Sequence, residues 1–187
     1  MPTGYQIYKQ DACHYVTFQI VYWVDIFSRK EYRDIIVNSL NYCITNKGLN
    51  IFAYVIMTNH VHLLISADNS NLSEVIRDFK KNTSRRLLGS IMGGSESRRE
   101  WMLKLFAHAA TKHVRNENYQ VWTHENHAEE IYSPKFTLQK IKYIHDNPVR
   151  AGIVSRPEDY LYSSAVDYSG EKGLVAVTAL NLHMLMS

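Results

Sequence analysis

The stretch LNIFAYVIMTNHVHLLIS, from Leu49 to Ser66, decides the fold because it holds two strands and the turn between them. Both halves are rich in β-branched and aromatic residues, and the short polar link Thr58-Asn59 is typical of a hairpin. His60 and His62 leave the second strand from one face, roughly 7 Å apart along the chain. Two imidazoles on one face can converge on a metal ion, although a bare pair is more often structural.

Further strands and helices flank this hairpin. The alternating residues 14–24 predict a strand, and residues 28–48 predict a helix that stops at Gly48. After the hairpin we predict helices over 71–90 and 98–113, strand and loop over 118–133, and a helix from the Ser133 cap to Pro148. This order predicts one compact α+β domain, a ferredoxin-like sandwich with helices packed on an antiparallel sheet.

Composition narrows the class of protein. Of 187 residues, 45% are hydrophobic and 21% are charged, which is typical of a globular domain and not of a disordered chain. The apolar runs are too short for a membrane span, and the N-terminus has no signal-peptide pattern. Cys13 and Cys43 form no CxxC pair, which argues against a cysteine zinc site. We therefore expect a soluble, cytoplasmic protein without a membrane partner.

The positive charge is concentrated in one part of the chain. Residues 77–115 contain ten Lys and Arg against three acids, a local balance of +7 in a chain whose net charge is +3. Such a segment is often only a solvated face, but it also makes a polyanionic partner plausible. The candidate phosphate contacts on the predicted helix are Arg77, Lys80, Lys81, Arg85 and Arg86, with Arg98 and Arg99 following. Trp101 and Trp122 are candidates for base stacking, although a core position is the better expectation for a tryptophan.

A metal held by two imidazoles needs a further ligand. The candidates elsewhere in the chain are His108, His113, His124, His127, His145 and the carboxamide of Asn147. In KYIHDNPVRAG, residues 142–152, Tyr143 and Asn147 are four apart and therefore share a helical face. Taken singly, Tyr143 is better explained as a core-edge residue and Asn147 as a helix cap.

Together these segments resemble a known family. YVIMTNHVHLLIS, residues 54–66, resembles the HUH motif (histidine, bulky apolar residue, histidine) of single-tyrosine HUH transposases. KIKYIHDNPVRAGIVSRPEDYLYSSA, residues 140–165, is similar to the tyrosine block of their REP-associated branch. The resemblance covers nearly the whole chain, with the two motifs in the expected order; Thr58 stands where the family more usually has proline.

The resemblance implies a mechanism and a set of site residues. It implies that residues 1–187 form a single HUH single-tyrosine transposase domain with a short C-terminal extension. Such a domain is a metal-dependent endonuclease and strand transferase that acts on single-stranded or hairpin DNA through a 5′-phosphotyrosine intermediate. By position, Tyr143 becomes the nucleophile, and His60, His62 and Asn147 become the metal ligands.

The same resemblance implies the cofactor and the setting. Nitrogen and oxygen ligands without thiolate suit Mg²⁺ or Mn²⁺, with Zn²⁺ as a weaker alternative, and no nucleotide cofactor is expected. A homodimer and a monomer both occur among such transposases, so both states stay open. The implied location is the bacterial cytoplasm, in association with the nucleoid when the protein is bound to DNA.

Two other classes of function remain open from the sequence. A ferredoxin-like sheet with a basic flank also fits a non-catalytic nucleic-acid-binding module, in which the histidines and Tyr143 are incidental. A metal-dependent phosphodiesterase acting on RNA or small molecules is the third class, and it would release its product without a covalent protein adduct. Metal-dependent nicking separates the binding module from the two enzymes, and a covalent adduct separates the two enzymes from each other.

Overall fold

The computed structural model describes residues 6–69, 71–112 and 118–186. Its strands are β1 (His14–Gln19), β2 (Leu49–Ile56), β3 (His60–Ala67) and β4 (Glu129–Glu130). Its helices are α1 (Lys30–Lys47), α2 (Leu72–Gly93), α3 (Arg99–Thr111), α4 (Pro134–Arg150), α5 (Ala165–Tyr168) and α6 (Leu182–Met186). Short 3₁₀ turns occur at Val21–Trp23, Ile26–Ser28 and Pro157–Asp159.

The described strands form one antiparallel sheet in the order β2-β3-β1-β4. β3 lies between β1 and β2, so the hairpin partner β2 and the first strand flank the strand that carries both histidines. This strand order, with α1 between β1 and β2, is that of a ferredoxin-like sandwich. The predicted fold class is therefore confirmed. Gly48 ends α1 in the left-handed conformation (φ 65°) that glycine adopts without a steric penalty, and β2 starts directly after it.

The two faces of the sheet are covered by different helices. On β1, Phe18 faces α2 and packs against Phe79, with ring centroids 5.6 Å apart. The alternate residue Tyr15 points to the other face, where its hydroxyl meets the His62 ring and its ring lies beside Tyr143 of α4. The face that holds the histidines is therefore covered by α4. The opposite face is covered by α2 and α1, and these two helices also pack against each other.

Several predicted boundaries are wrong; α2, for example, ends at Gly93 and not at residue 90. The first strand ends at Gln19 and not at Val24, because the chain enters a 3₁₀ turn in which Tyr22 and Trp23 have positive φ values (55° and 56°). The last long helix does not stop at Pro148 but continues to Arg150. A proline in the final turn removes only one backbone hydrogen bond, and the buried Pro148 ring keeps its packing.

Two further outcomes concern the strand predicted late in the chain and the search for membrane spans. The predicted strand within 118–133 is reduced to the two residues of β4 and an isolated bridge between Ile20 and Trp122. Within the described ranges, no helix is both long enough and apolar enough to cross a membrane.

Candidate active site

The two histidines lie side by side at the start of β3. Their ring centroids are 4.6 Å apart, and the ring planes are inclined at 71°. His62 is buried, whereas His60, at the end of the strand, is half-buried. The hairpin thus holds two imidazoles at the edge of the core, with His60 nearer to solvent.

A hydrogen bond from the hairpin turn sets the tautomer of His60. Asn59 Nδ2 donates to the carbonyl oxygen of Trp23 (3.3 Å), which orients the carboxamide so that its Oδ1 faces His60. Because Oδ1 can only accept, His60 Nδ1, 2.7 Å away, carries the proton. His60 Nε2 therefore keeps its lone pair, as a metal ligand requires.

Two side chains of β1 hold His62. Its Nδ1 lies 2.8 Å from the hydroxyl of Tyr15 and 2.8 Å from that of Thr17. The Thr17 hydroxyl also donates to the Tyr15 hydroxyl (3.3 Å), so the three groups form one hydrogen-bonded cluster that orients the His62 ring. With its proton on Nδ1, His62 would offer the lone pair of Nε2 to a ligand, as His60 does.

Both imidazoles are neutral near pH 7. Burial lowers the pKa of His60 to about 4. Burial, with smaller effects from His60 and Lys140, lowers the pKa of His62 to about 3. Neutral imidazole is the form that binds a metal, so this pair loses no proton when it takes up a cation.

Tyr143 lies against the histidine pair. α4 crosses the face of the sheet, and the Ser133 side chain caps its N-terminus by accepting from the Phe136 N–H (3.2 Å). The Tyr143 ring centroid is 5.4 Å from that of His62 and 6.1 Å from that of Tyr15. Its side chain is 38% exposed, so the phenol is held on one side and open to solvent on the other.

α4 is fixed to the sheet close to Tyr143. His145 Nε2 lies 2.8 Å from the Ser164 hydroxyl, which also accepts from the Tyr54 N–H of β2 (2.9 Å). This buried link explains His145 as a structural residue that points away from the histidine pair. It also limits how far Tyr143, two residues earlier, can move.

Asn147 lies one turn after Tyr143 and is half-buried. Its Nδ2 donates to the carbonyl oxygen of Tyr143 (3.0 Å), which leaves the carboxamide oxygen as the end of the group that can face another ligand. Across the described residues, no three His, Cys, Asp or Glu side chains are grouped so as to hold a metal ion. The predicted third ligand thus contacts its own helix, and its carboxamide oxygen is the atom left to face a cation.

The other candidate ligands lie elsewhere. His108 stacks on Tyr22 with centroids 6.0 Å apart, and His127 lies 3.8 Å from the Glu125 carboxylate in the loop that also carries His124. His113 lies outside the described residues.

Two later tyrosines that could replace Tyr143 are both committed to the core. The Tyr160 hydroxyl donates to the Ile56 carbonyl oxygen (2.8 Å), and the Tyr162 hydroxyl donates to Asp34 Oδ1 (3.0 Å). Neither phenol is in the position of Tyr143 beside the histidines.

Most of the basic side chains predicted on α2 are exposed: Arg77, Lys81, Arg85 and Arg86. Lys81, Arg85 and Arg86 line a groove between α1 and α2, where Arg86 also donates to the Ser39 hydroxyl (3.1 Å). This groove lies on the face of the sheet opposite to the histidines.

Lys80 does not lie on the predicted outer face. Its ammonium group donates to the Thr123 carbonyl oxygen (3.0 Å) and to Asn126 Oδ1 (2.5 Å), and it lies 5.0 Å from the Phe18 ring centroid. Burial lowers the pKa of Lys80 to about 7. The helical period places residue 80 at the edge of the apolar stripe, where the 123–126 loop covers it.

Arg98 and Arg99 are also engaged within the fold. Arg98 pairs with Glu96 (3.2 Å) and with Asp25 (2.8 Å). Arg99 donates to the carbonyl oxygens of Ile91 (2.9 Å) and Gly94. Both guanidinium groups stabilise the connection between α2 and α3, so they are poor candidates for phosphate contacts.

Sequence reasoning missed the residues that support the histidines. Tyr15 and Thr17 are two apart on β1, and the antiparallel register pairs Thr17 directly with His62. The spacing was visible in the sequence, but the register that makes it meaningful was not.

The two candidate stacking residues differ in exposure. Trp122 is buried, with its indole N–H donating to Thr83 (3.0 Å), and Trp101 is 50% exposed.

Comparisons with known proteins bear on the family and the fold. The family model described as "Transposase IS200 like" matches residues 10–147. The solved structure of a REP-associated tyrosine transposase bound to a REP hairpin is similar, with a TM-score of 0.62 and 17% identity over 96% of this chain and 93% of that one. A crystal structure described as that of a transposase from Deinococcus radiodurans R1 gives a TM-score of 0.41 and 20% identity, covering 78% of this chain and 97% of the other. No curated protein matches the sequence.

Proposed function

Because the chain belongs to the IS200-like transposase family, we propose that it cuts and rejoins one DNA strand through a covalent phosphotyrosine at Tyr143. The family accounts for an enzyme that acts on DNA; the nucleophile, the metal and the single-stranded substrate are the proposed part. The observation that carries the proposal is the packing of the exposed Tyr143 phenol on His62, which is itself in contact with His60.

The residues present fit a divalent metal. His60 Nε2, His62 Nε2 and Asn147 Oδ1 would hold Mg²⁺ or Mn²⁺. When bound, the ion neutralises the charge of the phosphate that is attacked and polarises its P–O bonds. The chain supplies neutral imidazoles whose orientation is fixed by Asn59 and Thr17, so the two ligands need no reorganisation.

The chemical step is a transesterification. The Tyr143 phenol loses its proton as its oxygen attacks phosphorus; the P–O3′ bond breaks, and the 3′-oxygen takes up a proton. The 5′-phosphate remains on the tyrosine, and a 3′-hydroxyl on the same or another strand reverses the step. The ester bond is conserved throughout, so rejoining needs no nucleotide cofactor.

The proposed substrate is a single strand that contains a hairpin. The structural neighbour was solved with a REP hairpin, which makes this class of DNA the first to test. The exposed cations of α2, which are Arg77, Lys81, Arg85 and Arg86, offer phosphate contacts that position the DNA without reading its sequence.

The test is a covalent-adduct assay. The protein is incubated with Mn²⁺ and a panel of labelled hairpin DNAs that includes a REP hairpin, and the products are separated on a denaturing gel. We expect the label to remain with the protein when it lies 3′ of the nick, on the strand that carries the 5′-phosphate, and not when it lies 5′ of the nick. Tyr143→Phe should lose both cleavage and adduct while it still binds DNA, because only the hydroxyl is removed.

Control variants separate the site from the fold. Tyr132→Phe removes another exposed phenol just before α4 and should leave the adduct intact. His60→Ala or His62→Ala should abolish cleavage without preventing folding. An adduct formed by Tyr143→Phe would contradict the nucleophile assignment. Binding without nicking by the parent would favour the binding module, and nicking without any adduct would favour a phosphodiesterase.

A further inference from the structure

We propose that the exposed ring of Trp23 stacks on the base of the nucleotide immediately 5′ of the cleaved phosphate, the nucleotide that carries the leaving 3′-oxygen. The inference rests on the proposed function, because it requires a DNA strand at the histidine pair. It adds a positioning residue from a turn that the family motifs do not include.

Trp23 is the most exposed of the three tryptophans of the chain. The Trp23 side chain is 60% exposed, whereas Trp122 is almost completely buried. The Trp23 ring centroid is 6.2 Å from that of His60, and the two planes are nearly perpendicular, at 81°. A large apolar surface is thus left in water beside a candidate metal ligand, where a nucleobase could cover it.

The turn that carries Trp23 is rigid. The Trp23 N–H donates to the Ile20 carbonyl oxygen (3.1 Å), and the Trp23 carbonyl oxygen accepts from Asn59, the residue that also orients His60. The neighbours Val21 and Val24 are buried in the core. An exposed aromatic ring on a fixed backbone is preorganised for stacking, since little conformational freedom is lost on binding.

The neighbouring ring of Tyr22 already has partners, and none of them is His60 or His62. Tyr22 stacks on His108, and the Lys112 ammonium lies 5.1 Å from its centroid. His108 lies on α3 and Lys112 directly follows it, and Tyr22 is 41% exposed against 60% for Trp23. Trp23 is therefore the ring of this turn that a strand at the site would meet.

The order in which the aromatic rings contact one another indicates the direction of the DNA strand across the site. Trp23 contacts His60 at the start of β3, whereas Tyr143 contacts His62 and Tyr15, further into the sheet. Trp23 and the nucleophile thus lie at opposite ends of a series of contacting rings, with the two histidines between them. In an in-line displacement the attacking and leaving oxygens lie on opposite sides of phosphorus. The strand that leads towards Trp23 is then the one that ends in the leaving 3′-oxygen.

The experiment combines variants with abasic substrates. The cleavage site is first mapped with the parent protein, and substrates are made with an abasic position directly 5′ or directly 3′ of the nick. Cleavage under limiting substrate is measured for the parent, for Trp23→Ala and Trp23→Phe, and for Trp101→Ala, which removes the other exposed tryptophan. All variants are checked for folding by circular dichroism.

The expected pattern is non-additive. Trp23→Ala should slow cleavage about tenfold, the scale of one stacked base, whereas Trp23→Phe and Trp101→Ala should stay close to the parent. The 5′ abasic substrate should slow the parent to a similar extent and should not slow Trp23→Ala further. Parent-like cleavage by Trp23→Ala, or an equal penalty from the 5′ abasic site in both proteins, overturns the proposal. A Trp23-dependent penalty at the 3′ position overturns the polarity.

A second readout does not depend on cleavage. In Trp101→Phe the remaining tryptophans are Trp23 and the buried Trp122, so a stacked base should quench the fluorescence of Trp23. Quenching that is lost with the 5′ abasic strand supports stacking, and unchanged emission on DNA binding contradicts it. Absence of any adduct with the parent protein would instead count against the proposed function.

Discussion

Lys80 differs from the exposed basic residues of α2 because the fold buries its ammonium group. Its ammonium group is covered by the 123–126 loop, and burial lowers its pKa to about 7, well below that of a lysine in an unfolded chain. Between these two pKa values the unfolded chain binds more protons than the folded one. The contribution of Lys80 to the free energy of unfolding therefore rises as pH increases from about 7 towards about 10.

We predict that Lys80→Met removes this pH dependence. Urea unfolding of the parent and the variant at several pH values from 7 to 10 should show the parent gaining stability relative to the variant as pH rises. Lys135→Met removes an exposed lysine at the start of α4 and serves as the control. A constant difference between the parent and Lys80→Met across this range would show that the lysine is charged throughout.

At the residue scale, short motifs in the sequence predicted the candidate site. His60, His62 and Tyr143 were all predicted from motifs, and the structure brings these three together. The partners Tyr15, Thr17 and Asn59 were not predicted, because their roles depend on strand register and on the direction of one amide. Lys80 was misplaced for a similar reason, since a helical period does not show which loop will cover its edge.

At the level of elements, α2 offers the strongest electrostatic prediction. Lys81 and Arg85 project from the helix into the groove shared with α1 and are exposed. We predict that Lys81→Ala combined with Arg85→Ala flattens the dependence of DNA affinity on salt. The slope of log K against log salt should fall by about 1.4 for a single strand, or about 1.8 for a duplex stem, because two fewer counterion sites are released.

The control for this prediction keeps the net charge equal. Lys135→Ala combined with Lys172→Ala also removes two exposed lysines, but from other parts of the surface. Its salt slope should match that of the parent. Equal slopes for the parent and the α2 variant would mean that the DNA binds away from this groove.

The element pattern was largely readable from the sequence, and its errors have physical causes. Hydrophobic periodicity located β2, β3, α1 and α2, which together set the order of the sheet. The end of β1 was missed because two aromatic residues adopt positive φ, a conformation that propensity does not anticipate. The end of α4 was missed because Pro148 lies in the last turn, where a proline is least disruptive.

For the molecule as a whole, the sheet separates two surfaces. The histidines and Tyr143 lie on the face covered by α4, whereas the groove of Lys81, Arg85 and Arg86 lies on the face covered by α1 and α2. A DNA molecule that contacts both surfaces must pass around an edge of the sheet. We therefore expect one segment to be held by α2 and a different segment of the same strand to enter the active site.

This division could not be predicted from charge alone. The local excess of +7 made a polyanionic partner plausible, but a linear count does not show on which side of a sheet the charges project. The alternation along β1, with Phe18 facing Phe79 and Tyr15 facing His62, is what assigns the two sides.

The left-handed backbone at Trp23 reverses the usual ranking of small substitutions. Alanine normally stabilises a folded chain more than glycine, but at φ 56° a Cβ atom costs about 1 kcal/mol that glycine avoids. We predict that Trp23→Gly unfolds at a higher urea concentration than Trp23→Ala, with circular dichroism as the measurement; the opposite order would mean that the turn relaxes when the ring is removed. Backbone energy alone would favour glycine here, and the proposed stacking on a base would account for a tryptophan in its place.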